Sequence, residues 1–233
     1  LVALVLASCG GDDDAAAPPP PAPSTSAAVE TTPAPPDFPV TVEADNGSVT
    51  LEEQPDAIVS LSATATESLF AIGAGDQVIA VDDQSNYPAE APVTDLSGFQ
   101  PNVEAIAGYE PDLVIAAYDP GGLVEGLETL DIPVLLQDAA PDLDAAYEQI
   151  EALGEATGNA EGAETVVESM RIEIAELAAS APGAAGATVY HELGPDFFTA
   201  TSDTFIGSVY ELFGLVNIAD AAADADAGGY PQI

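Results

Sequence analysis

A chain of 233 residues, 47% of them hydrophobic, can build one large domain or two small ones around an ample core. One Lys+Arg stands against 41 Asp+Glu, a formal net charge of −40, which excludes nucleic-acid binding because nothing can neutralise phosphates. The carboxylates lack cations to pair with and must be solvated and screened, so surface ion pairs are nearly impossible and a salt-rich or marine source is expected.

Residues 1–6 are apolar, and Leu6-Ala7-Ser8-Cys9 resembles the lipobox at which bacterial lipoprotein precursors are cut and lipidated. Cys9 is the single cysteine, so an intrachain disulfide is excluded and lipidation is its expected fate. One acylated cysteine would hold the protein on the outer face of the cell membrane. Neither Met nor a basic segment opens the chain, so residues 1–9 read as the remnant of a signal peptide. Residues 10–37 are rich in Asp, Ala and Pro, with prolines throughout 18–21, and read as a disordered tether.

Order is expected from Phe38. Residues 38–42 and 49–51 form short strands on either side of Asp45-Asn46-Gly47, an Asn-Gly turn. Residues 58–61 read as a buried strand, after which Thr64 and Glu67 are spaced as a helix N-cap and its reciprocal partner. Leu69, Phe70 and Ile72 give that helix an apolar face, and Gly73 and Gly75 stop it. Such a junction gathers free N–H groups and hydroxyls at one spot. Ser62 and Thr64 are therefore candidate ligand donors, although an ordinary strand-to-helix turn has the same pattern. Then follow a strand at 78–81, a polar loop at 82–88, a helix at 103–109 and a strand at 113–116. The loop 118–122, a helix at 123–130 and a strand at 132–136 complete this part. Alternation of this kind implies parallel βαβ units, with ligands held beyond the strand C-termini, in the loops after residues 61, 81 and 116.

Helices are expected over 143–158, headed by Asp142, and over 160–179. In the second, Ala163, Val166, Val167, Met170, Ile174 and Leu177 share one face. The segment 142–181 could be a spine between two α/β lobes, an N-terminal one at 38–141 and a partial one at 182–233. In the latter we expect a strand at 189–193, a turn at 194–196, an extended 197–199, and a helix at 205–213 capped by Thr204 and closed by Gly214. So few strands cannot close a core, so the second lobe is expected to be incomplete at residue 233.

Catalytic chemistry finds little support. His191 is the only histidine, in a predicted strand, and Cys9 belongs to the leader, so metal ligation by His and Cys is set aside. Gly-x-Ser-x-Gly and phosphate-loop patterns are absent, and carboxylates are too abundant for any pair to be informative. What remains is a set of loop residues: Gln84, Tyr87, Phe99, Tyr118, Phe197, Phe198 and Tyr230. Aromatic faces with a few polar groups suit a binding cleft, although each aromatic singly could equally be a packing residue.

Taken together, the segments IVSLSATATESLFAIGAGDQVIAV, NYP, SGFQPNVEAIAGYEPDLVIA, LDIPV, ELGPDFFTATSDTFIGSVYELFGLVNIAD and GYPQ carry a family likeness. In this order, from about Phe38 to the last residue, they resemble the substrate-binding proteins of ABC importers for cobalamin, ferric siderophores and haem. The resemblance implies two Rossmann-like α/β lobes joined by one long, fairly rigid helix, with the ligand between them. It implies a monomer that is not an enzyme, has no cofactor of its own and delivers a metal chelate to an ABC transporter permease. Glu104 of NVEAI matches the glutamate that pairs with a permease arginine in this family, and the matching C-lobe glutamate would follow residue 233. Gln84 stands where some cobalamin binders carry an aromatic. Arg171 falls in the spine, so a neutral or cationic chelate is easier to accommodate than an anionic one. The alternative is an acidic cell-surface lipoprotein that solvates the envelope or binds cations weakly.

Overall fold

The computed structural model describes residues 38–222 and 228–233. The lipobox with Cys9 and the tether 10–37 lie outside the described residues. Strands β1 (Val40–Ala44) and β2 (Gly47–Leu51) form an antiparallel hairpin in which Ala44 pairs with Gly47. The turn residues are therefore Asp45 and Asn46, while Gly47, at φ 104°, opens β2 in a conformation that suits glycine. The hairpin is tied to the rest of the chain through polar bonds. Asn46 Nδ2 donates to the Val134 carbonyl at 2.9 Å, and Leu136 N–H donates to Asn46 Oδ1 at 3.1 Å.

Strands β3 (Ile58–Leu61), β4 (Val78–Val81), β5 (Leu113–Ala116) and β6 (Val134–Leu136) form one parallel sheet in the order β4-β3-β5-β6. They read as near-continuous apolar runs because helices cover both faces. Helix α1 (Ala63–Ala71) packs on one face, and α2 (Val103–Ala107) and α3 (Leu123–Glu128) on the other. The α1 face is completed by α4 (Leu143–Thr157), α5 (Ala160–Ala179) and the hairpin. Side chains alternate along β3, β5 and β6: Ile58, Leu113, Ile115 and Leu135 join Leu69, Tyr147 and Leu153 on that face. Val59, Leu61, Val114 and Ala116 meet Ile106, Leu123 and Leu127 on the other. Truncating a fully buried member such as Leu69 to alanine costs about 2–5 kcal/mol.

The cap of α1 is Ser62, two residues before the expected Thr64. Ser62 is extended (φ −148°, ψ 120°), and Ala65 N–H donates to its Oγ at 3.2 Å. Because β3 runs straight into the helix, Thr64 and Glu67 fall inside the first turns, exposed, and form no capping box. The helix ends as the glycines predict. Gly73 (φ 91°) donates to the Phe70 carbonyl at 3.3 Å and Ala74 to that of Leu69 at 2.8 Å, a Schellman closure.

Asp142 caps α4, with Ala145 N–H donating to its Oδ1 at 2.9 Å. The two helices expected in this segment are present, packed on each other and separated at Gly158 (φ 72°). In α5, Ala163 and Val167 are buried, and Val166, Met170 and Ile174 are partly buried against the same core. Leu177 lies on the same face of α5 but is exposed, because α5 has 20 residues against 15 in α4 and outruns its partner.

Beyond α5, β7 (Thr188–Val189) and β8 (Val216–Asn217) pair in parallel, with α6 (Phe205–Glu211) between them in sequence. Thr204 caps α6 as expected, accepting from Gly207 N–H at 3.1 Å. The strand expected at 189–193 shortens because only residues 188 and 189 find partners in β8, which leaves His191 outside any strand. Phe197 is left-handed (φ 61°) rather than extended, closing the 194–197 turn onto the Gly194 carbonyl at 3.1 Å. Thr199 and Thr201 then donate to the carbonyls of Pro231 at 3.0 Å and Gly229 at 2.9 Å. The architecture is α/β with a parallel sheet.

Candidate functional site

The sheet order places β4 and β5 on opposite sides of β3, so the loops leaving these strands diverge at the carboxyl edge. Such a reversal opens a crevice where ligands of open α/β sheets bind. Three sequence-predicted segments stand at this edge: Ser62 and Thr64 after β3, Gln84 and Tyr87 after β4, and Tyr118 after β5. Phe99 lies farther along the β4–α2 connection.

Phe99 and Tyr118 meet. Their rings stack with centroids 5.6 Å apart and planes inclined by 26°. Local hydrogen bonds set both loops. Gln100 N–H donates to Ser97 Oγ at 3.2 Å, turning the chain around Phe99, and Val124 N–H donates to Asp119 Oδ1 at 3.0 Å beside Tyr118. Left-handed Gly121 and Gly122 bring that loop into α3. The pair is nevertheless 61% and 49% exposed, an aromatic surface left to solvent.

The remaining residues divide. Gln84 and Tyr87 are exposed, with Gln84 Nε2 donating to Asp83 Oδ1 at 3.2 Å. Ser62 is half-buried and its Oγ already serves the helix cap, whereas Thr64 is exposed. Phe197, Phe198 and Tyr230 are exposed in the C-terminal part, where Phe198 pairs with Gln232 alongside the Thr199–Pro231 hydrogen bond. Glu104 is exposed in the first turn of α2, which Asn102 caps by accepting from Ala105 N–H at 3.0 Å.

A set of buried polar groups beneath this edge escaped the sequence reading. Thr66 Oγ1 donates to Ser60 Oγ at 2.8 Å and lies 3.0 Å from Ser85 Oγ. Ser60 Oγ donates to the Ser62 carbonyl at 3.1 Å, and Ser85 Oγ donates to Asp82 Oδ1 at 2.6 Å. The available signals were a hydroxyl inside an apolar strand run, Ser60, and the Asp82-x-x-Ser85 spacing of an Asx-type turn.

Two open concavities of about 520 and 680 Å³ lie elsewhere. The first is bordered by β1, residues 136–141 and α4, and the second by residues 50–56, 111–112 and 128–133. Carboxylates line both, and neither contains a sequence-predicted site residue. Arg171 is engaged with α4: Nη1 lies 3.0 Å from Asp144 Oδ1 and the guanidinium sits 4.1 Å over the Tyr147 ring. This is an ion pair where none was expected, and it joins two exposed side chains. Among the described residues, no group of three or more His, Cys, Asp or Glu could hold a metal ion.

A parallel sheet carrying aromatic and hydroxyl groups on its carboxyl-edge loops is the frame of an α/β ligand-binding protein. The chain belongs to the periplasmic binding protein family, whose model matches residues 58–233. A cobalamin-binding protein of Halobacterium salinarum is 36% identical over 205 residues, which are 84% of this chain and 54% of that protein. The ABC transporter substrate-binding lipoprotein YvrC of Bacillus subtilis is 32% identical over 198 residues, covering 80% of this chain and 62% of YvrC. This chain thus spans 54% and 62% of the length of these two relatives. Among solved structures, the periplasmic vitamin B12 binding protein BtuF of Vibrio cholerae superposes with a TM-score of 0.63 at 28% identity. That match covers 77% of this chain and 70% of BtuF.

Proposed function

We propose that this chain is an extracytoplasmic solute-binding lipoprotein that captures a metal chelate and delivers it to an ABC transporter permease. The observation that carries the reading is the stacked, solvent-facing pair Phe99–Tyr118 at the carboxyl edge of the sheet. Flat aromatic surface of this kind suits the broad apolar faces of a chelate. Ser62, Thr64, Gln84 and Tyr87 complete one wall on the lobe 38–141, and Phe197, Phe198 and Tyr230 contribute the other from 182–233.

Two observations favour a neutral or cationic chelate, a corrinoid first and a ferric hydroxamate second. The H. salinarum and V. cholerae relatives are named for cobalamin or vitamin B12. Arg171, the sole Lys or Arg among these 233 residues, is held against Asp144 and Tyr147, so none of these residues offers a free Lys or Arg to an anionic group. Haem, with its two carboxylates, fits less well. Glu104 is the docking residue for the permease, and a lipid on Cys9 anchors the protein; that YvrC is a lipoprotein supports the anchor.

Native mass spectrometry of the full-length protein against corrinoids, ferric siderophores and haem tests the reading. One chelate held per chain is expected. The net charge of −40 favours one competing role, an acidic envelope protein. That role requires that no chelate is retained and that many cations bind weakly.

A further inference from the structure

Five of the site residues proposed above sit on three segments between residues 58 and 100. Residues 58–66 carry Ser62 and Thr64, residues 82–88 carry Gln84 and Tyr87, and residues 94–100 carry Phe99. All three converge on one buried carboxyl group. Asp82 is 5% exposed, and Ser85 donates to its Oδ1 twice, from N–H at 3.1 Å and from Oγ at 2.6 Å. Ser85 is itself buried and touches Thr66, which is fully buried in α1. Thr66 in turn bonds Ser60, and Ser60 bonds the carbonyl of Ser62. On the other flank, Gly98 packs so closely that a Cβ there would lie 2.7 Å from both Asp82 Oδ2 and the Leu61 carbonyl oxygen. Backbone bonds run through the same point: Asp82 N–H donates to the Ser60 carbonyl at 3.0 Å and Asp83 N–H to that of Leu96 at 2.8 Å.

We infer that Asp82, with Ser85 and Thr66, positions the ligand-facing loops, holding Gln84 and Tyr87 in register with the α1 cap and with Phe99. The inference rests on the proposed chelate-binding function for its binding readout. Loops at strand ends are otherwise the least constrained part of such a fold, and ordering one upon binding costs affinity. A buried, multiply bonded anchor moves that ordering into folding, so the loop is already set when ligand arrives. Asp82, Ser85 and Thr66 are too buried to be ligand contacts themselves; they act through Tyr87 and Gln84.

The test compares the full-length wild type with Thr66→Val, Ser85→Ala and Asp82→Asn, each also in a Tyr87→Ala background, with Thr66→Ser as the conservative control. Amide hydrogen exchange of residues 82–88 is read without ligand, and binding of cyanocobalamin and ferrioxamine B is read by titration. We expect faster exchange confined to 82–88, binding weakened about tenfold, and recovery in Thr66→Ser. In the Tyr87→Ala background the same substitutions should weaken binding by clearly less than in the wild type, a coupling that general destabilisation would not produce. If Thr66→Val does not fold, Ser85→Ala on the loop itself carries the test. Unchanged exchange in 82–88, or a loss that persists in full without Tyr87, overturns the inference. A wild type that binds neither probe overturns the proposed function instead, and the exchange data still decide whether Asp82 orders the loop.

Discussion

The rings of Phe99 and Tyr118 stack at 5.6 Å and 26°, joining a connection that leaves β4 to a loop that leaves β5. The contact bridges the crevice side of β3, the strand between them. If the pair forms one recognition surface, Phe99→Ala and Tyr118→Ala should each weaken chelate binding by about 1–3 kcal/mol. The double variant should fall short of the sum by about 0.5–1.5 kcal/mol. Titration of all four proteins gives the coupling, and strict additivity would mean that the rings act independently.

The cap of α1 offers a stability test. Ser62→Ala removes the acceptor for Ala65 N–H and should cost about 1 kcal/mol, whereas Thr64→Ala at an exposed position should cost no more than about 0.5 kcal/mol. Denaturant unfolding midpoints separate the two. The reverse order would restore Thr64 as the cap.

This pair also shows what the sequence discloses. The strands β3, β4 and β5 were legible because each is an apolar run ended by a polar or glycine signal. The end of α1 was legible because Gly73 is needed at a positive φ. Its start was not, since both Ser62 and Thr64 are good N-caps and only the backbone decides where β3 stops turning into helix. That loop residues Phe99 and Tyr118 are aromatic was legible, but not that they touch. The Asp82 network was hidden for a related reason. Ser60, Thr66 and Ser85 are unremarkable hydroxyls until the fold places them within 3.0 Å of a neighbour. The strand expected at 189–193 failed because a strand requires a partner, and β8 provides one for only two residues.

Glu104 is exposed in the first turn of α2. Glu104→Ala in the full-length protein should leave chelate affinity and thermal stability unchanged and lower permease-dependent uptake. Uptake at the wild-type rate would remove Glu104 from the docking surface.

A net charge of −40 with one exposed Arg–Asp pair leaves the carboxylates repelling one another across short distances. Raising salt from about 0.1 M to 1 M shortens the screening length from about 10 Å to about 3 Å. The melting temperature should therefore rise steeply in molar KCl, as followed by circular dichroism. A melting temperature indifferent to salt would show that repulsion is already relieved within the fold.

The most direct measurement of the central claim is a calorimetric titration of the full-length protein with cyanocobalamin and with ferrioxamine B in molar KCl. The account predicts saturable one-to-one binding of one of them, at least tenfold weaker in the Phe99→Ala/Tyr118→Ala variant, a difference of about 1.4 kcal/mol. Absence of saturable binding, or affinity unchanged when both rings are removed, would contradict it.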